Sequence, residues 1–141
     1  MGRNADEKII PGESVGIFPL GISEGKLIQE VSIPYKKEQR AGCIVYHLPN
    51  ISFFVDEETR KVDQICVFKG FEGKFLENYG LGNDLLDIEI DTDKWLVDWN
   101  IDSYYLEEYP GILFRLEEEL EVNEVKYNRR STIGSICIFH P

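Results

Sequence analysis

The chain has 141 residues, 43% hydrophobic and 12% aromatic, which suits a single compact domain over 1–141 with a packed core. Twenty-six acidic against fifteen basic residues leave a formal charge of −11. That excess argues against direct nucleic-acid binding through phosphates and against an anionic membrane surface.

In chain order, residues 1–8 carry charge with no apolar stretch after them, so they do not read as a secretory leader. Asp6 stands where a myristoylation signal prefers Ser or Thr. An extended lead-in ends in Leu20-Gly21, and Ser23 is placed to cap a short helix in which Leu27, Ile28 and Val31 share a face. Strands follow. Ile51, Phe53 and Val55 alternate with Ser52, Phe54 and Asp56, the period of a half-buried strand. The turn Glu57-Glu58-Thr59-Arg60 leads into another strand over residues 62–68, and Gly70-Phe71-Glu72-Gly73 reads as a linker.

The pattern then starts again. Leu20-Gly21 recurs sixty-one residues later as Leu81-Gly82, followed by Asn83-Asp84 as a cap and residues 85–90, which fit either a helix or a strand. At the same offset Cys43-Ile44-Val45 faces Tyr104-Tyr105-Leu106, Ile51 and Phe53 face Ile112 and Phe114, and Val55 faces Leu116. Ile65-Cys66-Val67-Phe68 matches Ile136-Cys137-Ile138-Phe139 at an offset of seventy-one, so the second copy carries ten extra residues in a longer hairpin. The expectation is an α+β fold, two tandem copies of a short helix plus three to four antiparallel strands, over about 14–69 and 74–140. Antiparallel pairing follows because the connections are too short for crossover helices.

The two copies differ in charge. Residues 1–70 hold nine basic and ten acidic groups, whereas 71–141 hold six and sixteen. Between 84 and 121, thirteen acids stand against Lys94 and Arg115. Asp91, Asp93, Asp98, Asp102, Glu107 and Glu108 are interleaved there with Trp95, Trp99, Tyr104, Tyr105 and Tyr109. Trp and Tyr dominate interface hot spots, and a negative field steers a basic partner. An acidic run also serves as a solvated face, and Trp95 and Trp99 fit core packing as well as partner contact. The candidate partner-binding residues are Asp91, Asp93, Trp95, Asp98, Trp99, Asp102, Glu107, Glu108 and Tyr109.

Catalytic and metal signatures are lacking. His47 and His140 are the only histidines, and His47 reads as a surface or capping residue. No nucleophile elbow, phosphate loop or zinc-protease motif occurs. Cys137 and His140 would point to opposite faces of a strand, and Asp98-Trp99-Asn100-Ile101-Asp102 departs from a calcium loop at Ser103 and Tyr109. The expectation is no catalytic residue, no metal and no cofactor. Cys43, Cys66 and Cys137 are odd in number and read as free thiols, Cys66 and Cys137 as buried small hydrophobes. Free thiols suit a reducing compartment, hence a cytoplasmic location.

The duplicated unit, with Leu-Gly-Ile-Ser before a short helix and strands after it, resembles the tandem halves of the β-lactamase-inhibitor-protein-like fold. In size, acidity, aromatic-rich acidic stretch and lack of catalytic motifs, the whole chain resembles a bacterial immunity protein of the contact-dependent growth inhibition or polymorphic-toxin kind. That resemblance implies an inhibitor whose partner is a cognate, basic toxin domain such as a nuclease, blocked at its active site. The alternatives are a non-catalytic interaction module or subunit of a larger assembly, and a small-ligand-binding domain with a cleft between the repeats. Exposed strand edges also allow a homodimer.

Overall fold

The structure is a computed structural model, and it describes residues 8–75, 79–82, 95–98, 103–106, 108–116, 120–122, 125–127 and 133–140. The chain opens with three short strands, β1 (Lys8–Ile10), β2 (Ser14–Val15) and β3 (Phe18–Pro19), followed by the helix α1 (Glu24–Glu30). Then come β4 (Lys36–Arg40), β5 (Cys43–His47), β6 (Ile51–Asp56), β7 (Val62–Val67) and β8 (Lys74–Phe75). The second half contributes β9 (Trp95–Asp98), β10 (Ser103–Leu106), β11 (Ile112–Leu116), the hairpin β12 (Leu120–Val122) and β13 (Val125–Tyr127), and β14 (Ile133–Phe139).

This architecture overturns the expected α+β fold of two tandem copies of a short helix plus three to four antiparallel strands. The protein is mostly β, built on one eight-stranded sheet in the order β4-β5-β6-β7-β14-β11-β10-β9 and a small sheet in the order β3-β2-β1-β8. Among the described residues α1 is the single helix, seven residues long, and residues 85–90 lie outside them. The reason is physical. The helical face is short, with Leu27 its one buried residue and Ile28 41% exposed. The lead-in, in turn, pairs as strands instead of running as a plain extended segment. The large sheet is antiparallel throughout, but β1 and β8 pair in parallel, Lys8 beside Lys74 and Ile9 beside Phe75.

Alternation explains the inward face. Ile51, Phe53 and Val55 on β6, and Ile112 and Phe114 on β11, are buried in a core shared with Ile65, Val67, Ile136 and Ile138. The small sheet and α1 cover that face: Phe18 lies edge-on to Phe53 with centroids 4.8 Å apart, and Phe75 sits 5.9 Å from Phe114. Burying a side chain of this size contributes about 1.5–3 kcal/mol, so the capping layer is where much of the burial is gained.

The two halves of the large sheet run outward in mirrored order from the β7–β14 pair. Segments matched in sequence meet equivalent partners: Phe53 pairs with Ile65 as Phe114 pairs with Ile136. Each half carries one ladder irregularity at the equivalent place, Asp63 being the extra residue in one and Gly134 in the other. Both Leu-Gly turns also do the same job. Gly21 and Gly82 each adopt a φ of +87° and donate to the strand beyond, to the Val62 carbonyl at 2.7 Å and the Ile133 carbonyl at 3.0 Å.

One matched segment slips. Tyr46 pairs with Phe53 and Tyr104 with Phe114, so Tyr104 is the counterpart of Tyr46 rather than of Cys43. The second hairpin connection is three residues longer, running 106–112 between the closing pairs instead of 48–51. An odd slip exchanges sheet faces: Ile44 lies in the core, whereas Tyr105 belongs to the cluster on the other side.

Candidate functional site

The acidic, aromatic segment is placed by β9 and β10. Trp95 and Asp98 stand at the two ends of β9, registered opposite Leu106 and Ser103. Among the described strands β9 ends the order, so the acidic segment includes a terminal strand of the large sheet. Glu108 is exposed in the turn after β10. Tyr109 is half-buried, its ring edge-on to Phe75 at 5.1 Å, and it packs against the core. Asp91, Asp93, Trp99, Asp102 and Glu107 lie outside the described residues. The structure therefore brings Trp95 and Asp98 onto one strand and sets Glu108 and Tyr109 just beyond its neighbour.

The outer face of the sheet, away from the small sheet, holds a second apolar cluster. Cys66, Cys137 and Leu113 are buried at its centre, with Phe54, Tyr105 and Phe139 packed around them. Cys66 and Cys137 face each other directly across β7 and β14, their Cα atoms 4.0 Å apart, and form a disulfide. This corrects the reading of three free thiols; Cys43 alone is free. Equivalent positions on matched strands become neighbours because those strands pair at the centre of the sheet.

A polar ladder crosses β4, β5 and β6 on the same face. His47 Nδ1 lies 2.9 Å from Ser52 Oγ, and His47 Nε2 lies 2.7 Å from Glu38 Oε1. Arg40 donates to both oxygens of Glu38, at 2.9 and 3.0 Å, and its guanidinium lies 5.7 Å from the Phe54 ring centroid. These bonds, Arg40's first and His47's second, hold the Glu38 carboxyl at about 2. Hydroxyl, imidazole and carboxylate in line are the parts of an acyl-transfer triad. Here, however, Ser52 is 3% exposed and β6 is paired on both sides, so its backbone N–H groups are committed to the sheet instead of an oxyanion. The ladder orients side chains between strands.

From the sequence, His47 reads as a surface or capping residue. Its partners could have been found from hairpin geometry, since neighbouring antiparallel strands place residues such as His47 and Ser52 opposite each other. Across the inner face, Tyr46 donates to the Glu24 carboxylate at 2.5 Å, and Arg60 donates to it at 3.1 Å. The Tyr46 hydroxyl above all, then Arg60, keeps the Glu24 carboxyl below the usual range against the opposing effect of its burial. Among the described residues no group of three His, Cys, Asp or Glu side chains is arranged to hold a metal. Among them, too, no helix is long and apolar enough to cross a membrane.

By fold, then, the chain is a large antiparallel sheet with one face capped by a small sheet and a short helix. It is similar to the crystal structure of an uncharacterized protein, YfeY from Escherichia coli, with a TM-score of 0.52 and 11% sequence identity. The match covers 94% of this chain and 97% of that one, a likeness of fold alone. No family model matches the chain, and no curated protein matches it.

Proposed function

We propose that the chain is a non-catalytic binding protein of the immunity kind, whose acidic segment engages a cognate basic toxin domain and occludes its active site. The observation that carries the reading is the terminal position of β9 in the strand order of the described residues, inside a stretch whose charge is strongly negative. A terminal strand offers N–H and C=O groups to an added strand, and flanking carboxylates select a cationic one. Asp98, on β9, and Asp102, just after it, belong to that contact.

The Cys66–Cys137 bond favours an oxidising compartment over the cytoplasm, because reducing cytosol keeps such pairs as thiols. The test is co-expression with the C-terminal domain of the protein encoded immediately upstream. The expected result is a one-to-one complex that weakens at high salt and abolishes that domain's toxicity. Asp98→Lys and Asp102→Lys should each weaken it by about tenfold, or ~1.4 kcal/mol. Unchanged dissociation constants in both correctly folded variants would move the contact elsewhere, and no complex at all would remove the immunity reading.

A further inference from the structure

A pocket of about 300 Å³ opens beside the turn between β5 and β6. That turn, the β2–β3 turn and the residues that leave α1 form its walls, and Phe71 completes them. Its lining falls entirely between residues 15 and 71, a stretch the structure describes without a break. Val15 and Ile51 are buried in the lining, and Phe18, Val31 and Leu48 are half-buried beside them. Two further aliphatic side chains of the lining are exposed, Ile17 at 69% and Ile33 at 46%. Local sequence sets both there. Val15 pairs with Phe18, so Gly16 and Ile17 form a two-residue hairpin loop in which Gly16 supplies a φ of +57°. The helix ends at Val31, which is extended, and Pro34 biases Ile33 away from helical geometry.

Hairpin tips ordinarily carry Gly, Asn, Asp or Ser, and an aliphatic side chain left in water forgoes the gain of burial. One such residue is ordinary on a surface, but two on the same apolar concavity offer extra area to a molecule that fills it. The volume is roughly twice the ~150 Å³ of a cavity that takes up benzene, the size for a chain of about eight to ten carbons. Asn50, half-buried, brings an amide to the lining, and its carbonyl accepts from Phe68 N–H at 2.9 Å, which fixes that turn. Glu30 also lines the pocket and pairs with Lys26 at 3.3 Å. An amide both donates and accepts, so it serves a hydroxyl or a carbonyl, whereas the Glu30 carboxylate opposes an anion. We propose that this pocket binds a small, uncharged, mainly hydrocarbon molecule bearing one hydroxyl or carbonyl group. Its chain lies against Ile17, Phe18, Val31, Ile33 and Leu48, and its polar end is at Asn50. Apolar walls disfavour a charged head group, which would have to shed its water among them. The site belongs to the first half of the chain and is independent of the acidic partner surface proposed above.

Octan-1-ol and octanoate, titrated separately into the full chain by calorimetry at neutral pH, test the assignment. The alcohol should saturate one site and bind at least about tenfold tighter than the carboxylate. Ile17→Asp and Ile33→Asp, both exposed changes, should each weaken octanol at least about fivefold with the unfolding midpoint unchanged. Ile28→Asp alters a similarly exposed isoleucine of α1 outside the lining and should leave octanol binding as in the parent protein. Asn50→Ala should weaken octanol at least about threefold. No saturable binding, octanoate as tight as octanol, or equal losses in Ile28→Asp and Ile33→Asp would each overturn the proposal, and full affinity in Asn50→Ala would overturn its polar end.

Discussion

Glu38 illustrates how a short strand with no apolar residue is held in place. Its five-residue strand is exposed throughout, yet its carboxylate is gripped by Arg40 from the same strand and His47 from the next. Because the folded pKa is about 2, below the ordinary 4.5, the contribution is present above about pH 4.5 and is lost as pH falls towards 2. Glu24 shifts in the same direction, whereas burial and the neighbouring Asp56 push Asp63 the other way. Exposure keeps the Glu38 effect modest. Glu38→Gln should therefore lower stability slightly at neutral pH and flatten its decline between pH 4.5 and 2, as read from urea midpoints across that range. An acid limb identical to that of the parent protein would show the ladder to be energetically silent.

At the scale of elements, turns decide how the layers meet. Gly111 closes the turn between β10 and β11 with φ +92°, and its carbonyl accepts from both Gly12 and Phe139 at 3.0 Å. A Cβ there would lie 2.6 Å from the Gly12 Cα and 2.8 Å from the Phe139 carbonyl oxygen, both backbone atoms. Gly21 has a similar φ of +87° but open space around it. Gly21→Ala should then cost only the left-handed penalty, about 1–2 kcal/mol. Gly111→Ala should cost more, since the small sheet must also move off the turn. Chemical denaturation of the two variants side by side checks this; equal losses would mean that the close approach is relieved at no cost. The same logic explains α1, a single short helix that persists because Ser23 caps it and Glu24 ties it to Tyr46 and Arg60.

Across the whole molecule, the two halves of the sheet join along one strand pair, β7 with β14, and the disulfide lies on that seam. Its cysteines are 71 residues apart in sequence. A cross-link closing a loop of that length restricts the unfolded chain by roughly 4 kcal/mol in the chain-entropy account. Replacing both cysteines with alanine should lower unfolding free energy by an amount of that order without changing the fold. Alkylation of the denatured, unreduced parent protein should modify Cys43 alone. Three modified cysteines in protein taken from its native compartment would instead return the chain to a reducing location.

Alternating apolar residues make β6 and β11 legible in the sequence, and the buried Phe53 and Phe114 follow from that alternation. The paired Leu-Gly turns are equally visible, because only a residue without Cβ turns freely there. Charge and aromatic composition mark out residues 91–109, but cannot reveal that β9 stands last among the described strands. Exposed β4, Lys-Lys-Glu-Gln-Arg, has no apolar alternation to betray it, and the slip at β10 arises from a longer connection that shifts facing without altering residue class. Length, charge excess and the strand period of the central segments belong to the sequence by itself, because they depend on local side-chain chemistry. The single large sheet, the Cys66–Cys137 bond, the His47 ladder and the pocket beside Ile17 and Ile33 were decided by tertiary structure, because each requires residues distant in the chain to meet in one register.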